Sequence, residues 1–375
     1  MEVFFVDQTA KPVSSRRNYG LDLLRLTAAF YVVIAHTTGL GGVLDATAPD
    51  SNQNFICRLL MIFTICAVTI YGIVSGYVGY REEDKKVSFS GYLSLWLTVV
   101  FYSLLFLGIF RIVLPGSVTS EDLLRSLTPV TTRIYWYFSC YTVVYFLSPF
   151  LNRLLRHSSD HDLKWLFLFL CILVLIEYIA QPFHMGEGYS VIWLVMLYLF
   201  GGIMKKTGIG SKIPSLAALL GIFLINFVFF YLGTKRDVWS FQIYDFSFVI
   251  THSLVSPFYL ATGFLHVVLF SRFRFKPFWQ KVIAFAAPAS FSIYIVNTNK
   301  VFWNNFMWQD FMKNYLASWA GSSPVGIFAR ILLFSAAFVF VVTIVDFLRQ
   351  KLFQLLGVPN WDKKIAGIFR NRKVR

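Results

Sequence analysis

The chain is a succession of apolar runs, most of roughly 20 residues, divided by short polar segments. Runs of that length fit helices that cross the hydrocarbon core of a bilayer. They predict spans at about 20–42, 55–79, 89–114, 134–155, 165–181, 189–204, 214–233, 244–270, 282–306 and 327–348. The expected fold class is all-α, a polytopic transmembrane helical bundle of about ten spans. Residues 1–19 precede the membrane domain at 20–348, and 349–375 form a basic tail. Between the third and fourth spans, the polar stretch from Gly116 to Arg133 carries Glu121, Asp122 and Arg125 and suits a short surface helix. In the tail, Lys351-Leu-Phe-Gln-Leu-Leu356 suits an amphipathic helix lying on the membrane surface. No internal repeat and no appended soluble domain are evident. No separate apolar region precedes the first span, so no cleavable signal peptide is expected.

Composition sharpens this picture. Hydrophobic residues make up 57% of the chain and charged residues 14%, too few to cover a soluble domain. The net charge of +15 would suit a nucleic-acid partner, but its distribution argues otherwise. Every second loop is rich in Lys and Arg, whereas the loops between hold only Arg125, Arg133, Lys235, Arg236 and Lys313. That alternation is the positive-inside pattern and places both termini in the cytoplasm. Cys57, Cys66, Cys140 and Cys171 all lie in apolar runs without a CxxC or Cys/His spacing and read as small buried hydrophobes. Neither a phosphate-binding Gly-rich loop nor a zinc-protease motif occurs, so no metal and no permanently bound cofactor are expected. His157 and His161 are four apart, a metal-compatible spacing, but lack a clear third ligand.

The first span carries the chemistry. Arg25 and His36 are eleven residues apart, which at about 100° per residue leaves them on one helix face, some 16 Å apart along the axis (about 1.5 Å per residue). Ionisable groups inside a span are costly and usually face a polar interior. The plain alternative is a snorkelling arginine and a hydrogen-bonded structural histidine. With the orientation above, Arg25 lies near the cytoplasmic surface and His36 toward the outer leaflet. At the depth of His36 fall Arg58, Tyr135, Trp136, Tyr137, Asn297, Asn299 and Lys300. Singly, such aromatics read as interfacial anchors; together with amides and two cations, they suit a polar pocket for a sugar-like acceptor. His252 and His266 default to structural roles. Glu177, Arg111 and Arg330 lie near span ends and suit snorkelling, and Asp346 with Arg349 suits an i,i+3 pair.

Leu21-Asp-Leu-Leu-Arg-Leu-Thr-Ala-Ala-Phe-Tyr-Val-Val-Ile-Ala-His36 resembles the opening of the acyltransferase-3 family of integral-membrane acyltransferases. The family mark is an arginine, ten intervening residues and a histidine on the first span. Ile73-Val-Ser-Gly-Tyr77, Trp136-Tyr137 through Tyr145-Phe-Leu-Ser-Pro-Phe150, and Ser290-Phe-Ser-Ile-Tyr-Ile-Val296 are similar to further family segments, in order. Members often carry a histidine where this chain has Asn297, and some carry one where it has Tyr135. The resemblance implies O-acylation, commonly O-acetylation, of a cell-surface polysaccharide or lipid-linked glycan in a bacterial inner membrane. Acetyl-CoA or another acyl-CoA would be the donor substrate and a carbohydrate the acceptor. For such a donor a cationic inner face suits the phosphates, with Arg25 the motif-supported contact and Arg272 and Arg274 weaker ones, and His36 would act as general base on the acceptor hydroxyl. Asn297, Asn299 or the Tyr137 hydroxyl would face the developing oxyanion. Two other classes remain at this point: a transporter or flippase of a lipid-linked saccharide, and a non-catalytic membrane scaffold.

Overall fold

The structure, a computed structural model, describes residues 17–83, 88–234 and 253–358. Every regular element among them is helical. In chain order these are α1 (Tyr19–Thr38), α2 (Asn52–Thr64), α3 (Ala67–Gly79), α4 (Phe89–Val113) and α5 (Ser120–Leu127). Then come α6 (Trp136–His157), α7 (Asp160–Ala180), α8 (Val191–Thr207) and α9 (Ser215–Thr234). Apart from a single turn at Lys300–Phe302, the last five are α10 (Pro257–Ser271), α11 (Pro277–Ala286), α12 (Ser290–Asn297), α13 (Asp310–Ala317) and α14 (Pro324–Leu355). Seven helical segments of the described residues are long and apolar enough to cross a membrane: α1, α2 with α3, α4, α7, α9, α11 with α12, and α14. The chain is a multi-pass membrane protein. The other three expected spans are also helical. Tyr and Ser residues lower the apolarity of α6, while α8 has 17 residues and α10 has 15. The first part of the expected eighth span, together with His252 and the Lys235-Arg236-Asp237 loop, lies outside the described residues.

Several boundaries differ from the expectation. The second span breaks at Ile65–Cys66 into α2 and α3. The ninth is interrupted by a 3₁₀ turn at Ala287–Ala289, where Pro288 lacks the N–H a continuous helix needs, and α12 ends at Asn297. Lys351–Leu355 forms the last turns of α14 rather than a separate surface helix. The polar stretch after α4 does form a helix, α5, closed by a capping box between Thr119 and Asp122.

α1 is the axis of the bundle and packs against α2, α3, α10, α11, α12 and α14. Its neighbour α3 is clamped to α8 through glycines. A Cβ on Gly76 would lie 1.8 Å from the Tyr198 carbonyl oxygen, and one on Gly201 would lie 1.9 Å from the Ile73 carbonyl oxygen. Gly72-Ile-Val-Ser-Gly76 is thus a small-xxx-small seam of the kind that lets helix backbones touch in a membrane.

Buried polar groups in apolar surroundings must be partnered, and here they bind the helices together. Asp346 on α14 is fully buried and accepts from Tyr102 (3.0 Å), Ser292 (2.5 Å), Arg349 (2.7 Å) and Gln350 (2.7 Å). The expected Asp346–Arg349 pair is therefore present, and it links α14 to α4 and α12. Glu177 is buried and accepts from the backbone N–H groups of Phe183 and Met185, where it closes the turn after α7. Lys206 caps the end of α6 by donating to the carbonyls of Leu155, Arg156 and Ser158. Arg111 and Arg330 remain exposed.

Candidate active site

The site is built along α1. Asn18 opens the helix: its Oδ1 accepts from the N–H groups of Gly20 (2.9 Å) and Leu21 (3.2 Å). Its Nδ2 donates to the Ser271 carbonyl (2.8 Å), tying the start of α1 to the end of α10. Asp22 lies in the first turn, where a carboxylate favours the helix dipole. It pairs with Arg17 (2.5 Å) and more loosely with Arg25 (3.5 Å). The Arg25 side chain stays one-third exposed.

Further along the same face, His36 meets α12. Its Nδ1 lies 2.6 Å from Asn297 Oδ1. An amide oxygen only accepts, so Nδ1 is the donor here, and in the neutral imidazole the basic nitrogen is then Nε2. Asn297 is itself fixed, because Trp303 Nε1 donates to its backbone carbonyl at 2.5 Å. The Trp303 ring stands edge-on to the imidazole, with centroids 6.4 Å apart. Trp303 begins a π-helical turn, Trp303–Met307, of a kind that often marks functional sites. Ile34, Val43, Cys57, Trp303, Leu316 and Trp319 pack into one apolar cluster that holds this end of α1.

The other expected site residues fall into distinct places. Asn299 is wholly buried: its Nδ2 donates to the Tyr135 hydroxyl (2.7 Å) and its Oδ1 accepts from Phe302 N (2.9 Å). Tyr135 in turn is bonded to Ser103 (3.0 Å), so Asn299 anchors the turn that carries Trp303 to α4 and α6. Lys300 beside it is exposed. Arg58 bonds Asn54 at 2.7 Å, and Asn54 continues to Thr47, a chain within α2 and the loop before it. The Trp136 ring lies tilted against that of Tyr189, with centroids 4.6 Å apart, and is not among the partners of the imidazole. Tyr137 is buried and its ring lies 5.6 Å from that of Tyr294, one turn before Asn297. At the Arg25 end, the Arg272 guanidinium is engaged by the carbonyls of Gly210, Ser211 and Ile213. Arg274 bonds the carbonyls of Ser271 and Phe273. Lys205, which sequence reasoning did not single out for the site, lies over the Tyr77 ring at 5.1 Å. His266 donates to its own helix at Thr262 (2.7 Å) and faces Tyr31, a structural role.

Trp303 is the support that sequence reasoning left without a role, and Tyr135, expected at the acceptor pocket, instead braces Asn299. Trp303 is six residues beyond Asn297 across a helix break, so helical periodicity gives no signal for it. The arrangement supplies an oriented imidazole and a guanidinium at opposite ends of one helix face. Such a pair suits proton abstraction from a hydroxyl at one end and anion binding at the other.

The model of the acyltransferase domain, acyltransferase-3, matches residues 18–349. No curated protein and no solved structure matches the chain. The match covers nearly the whole bundle, including Arg25, His36 and the partners of His36, and it places this chain in the acyltransferase-3 family as a membrane acyltransferase.

Proposed function

We propose that the protein moves an acyl group, acetyl in the first instance, from acyl-CoA to a hydroxyl of a cell-surface polysaccharide or lipid-linked glycan. In this reading it sits in a bacterial plasma membrane with both termini in the cytoplasm, as the loop charges favour. The CoA phosphates approach the Arg25 end, where a planar guanidinium offers paired donors. Lys205 at the same end adds a second cation, while Arg272 holds the loop at 210–213 in place. The acceptor enters from the His36 end.

His36 Nε2 takes the proton of the acceptor hydroxyl as its oxygen attacks the thioester carbonyl. The C–S bond breaks, the acyl ester forms, and the departing CoA thiolate takes up the proton that imidazolium carries. Asn297 keeps Nδ1 protonated throughout and so keeps Nε2 basic. The observation that carries this reading is the His36–Asn297 hydrogen bond on the helix face that also bears Arg25.

The test uses protein in nanodiscs with acetyl-CoA and a glycan acceptor, following free thiol and ester together. His36→Ala is expected to lower turnover by about 10²–10⁴-fold with acetyl-CoA binding retained. Near-normal turnover in folded His36→Ala would exclude a required catalytic role for this residue.

A further inference from the structure

The mechanism above leaves unused a buried charge cluster on α14. Asp346 is fully buried, and Arg349 nearly so. Asp346 Oδ1 accepts from the Tyr102 hydroxyl of α4, the Ser292 hydroxyl of α12 and Arg349 Nε. Its Oδ2 accepts from Gln350. Arg349 and Gln350 belong to α14 itself, so the carboxylate is clasped by its own helix and cannot swing. The Arg349 guanidinium lies over the Phe353 ring at 4.7 Å. A carboxylate in apolar surroundings keeps its donors, because each one lost leaves charge uncompensated. Asp346 is therefore a fixed point, and a short charge-assisted bond of 2.5 Å from Ser292 ties α12 to it.

α12 needs such a tie. It has eight residues, with the 3₁₀ turn at Ala287–Ala289 before it and a helix end at Asn297. It cannot take its rotation from a longer helix and must take it from side-chain contacts. A bond to a backbone carbonyl, such as that from Tyr71 to Ser290 (3.4 Å), meets a group aligned with the axis and tolerates roll. Side-chain bonds do not. Ser292 reaches Asp346 on α14, and Asn297 reaches His36 on α1. The two are five positions apart, some 140° around the axis at about 100° per residue. α12 is thus held from α14 on one side and from α1 on another. Side chains end about 5–6 Å from a helix axis, so a roll of about 15° carries the Asn297 oxygen about 1.5 Å. That is enough to take it out of hydrogen-bond range of Nδ1, from which it stands 2.6 Å away.

We propose that Asp346 is a positioning residue: through Ser292 it sets the roll of α12 and so keeps the Asn297 oxygen on His36 Nδ1. Asp346 touches no reacting atom and acts only through α12. Its effect on turnover rests on the reading of His36 as general base given above. Its effect on the imidazole tautomer does not, because that concerns hydrogen bonds alone. Tyr102 bonds the same carboxylate oxygen but lies on α4, so it steadies Asp346 without turning α12. The two hydroxyls therefore act alike on the cluster and unlike on the imidazole.

Asp346→Ala would strand the Arg349 guanidinium in the bundle, so the experiment deletes single hydroxyls instead. Ser292→Ala cuts the link to α12, and Tyr102→Phe removes a hydrogen bond to the same carboxylate outside that link. Ser292→Cys, a weaker donor of similar size, gives the same comparison should Ser292→Ala not fold. Nuclear magnetic resonance of the full-length protein in nanodiscs, with isotopically labelled histidine and at a pH well above the ordinary histidine value, reports the His36 tautomer. The His36 signals are those that vanish in His36→Ala. The wild type and Tyr102→Phe are expected to show the Nδ1-protonated form alone, and Ser292→Ala a mixture of both tautomers. Turnover is then followed with acetyl-CoA and surface glycan extracted from cells that lack the gene. Ser292→Ala is expected to lower kcat about tenfold at unchanged acetyl-CoA affinity, and Tyr102→Phe to stay within about twofold of the wild type. Combined with Asn297→Ala, Ser292→Ala should cost nothing further, because the bond it positions is already gone. A single Nδ1-protonated form in folded Ser292→Ala, or the same mixture in Tyr102→Phe, would overturn the proposal. The expected tautomers without turnover in the wild type would overturn the acyl-transfer reading and leave Asp346 as the group that orients the imidazole.

Discussion

Asn297 makes the clearest case at the residue scale. Its amide oxygen fixes the imidazole tautomer, so its loss should leave His36 in place but free to turn. Asn297→Ala is expected to lower turnover by about 10–100-fold, the range seen when the orienting partner of a functional histidine is removed. Asn297→Asp retains an acceptor oxygen and should retain more of the activity than alanine does. The measurement is turnover at saturating acetyl-CoA alongside its affinity; a fall in affinity alone would contradict an orienting role. At the far end, Arg25→Ala should weaken acetyl-CoA binding and Arg25→Lys restore only part of it, because a point charge lacks the planar fork. Equilibrium binding on the two variants checks this, and unchanged affinity in Arg25→Ala would sink the donor contact. Arg25 and His36 were legible in the sequence because helix period alone puts them on one face. Asn297 was legible only in depth. Its position along α12 gives how deep it lies, but which neighbour it meets depends on how α12 is rotated against α1, and no local pattern encodes that.

Helices register the same contrast between what is local and what is not. Apolar length predicted where the long helices lie, and loop polarity predicted α5. The break at Ile65–Cys66 was not legible, since neither residue is a helix breaker and the apolar run continues through it. The glycine seam between α3 and α8 becomes meaningful only once its partner is known. Gly76→Val would drive a branched side chain into the Tyr198 carbonyl, from which even a Cβ would be 1.8 Å away. It is expected to destabilise by about 1–3 kcal/mol or more, the range for overpacked interiors. Gly108 on α4 is the control, because a Cβ there would meet nothing within 4 Å. Gly108→Ala should leave the melting temperature unchanged or raise it slightly, alanine being the better helix former by about 1 kcal/mol. Thermal unfolding of the two variants in the same nanodiscs decides the matter, and equal melting temperatures would remove the seam's structural role.

At the scale of the whole molecule, the orientation rests on loop charge and is open to direct measurement. In a background without the four native cysteines, single cysteines at Ser120, Glu187 and Ser318, all exposed, should react with an impermeant thiol reagent added to intact cells. Cysteines at Glu83 and Gly208 should react only after the membrane is opened. Equal labelling of both sets in intact cells would overturn the arrangement. The partnership of His36 with Asn297 has a consequence for biogenesis. The two residues are separated by 261 positions, and Trp303, which braces the asparagine, emerges later still. While the ribosome makes the chain, α1 must therefore enter the bilayer with its imidazole unpartnered and wait through most of translation. The proposed catalytic centre is then among the last parts of the protein to form. A nascent chain released before residue 303 would hold most of the bundle and no working site, so the cell gains no activity from an unfinished copy.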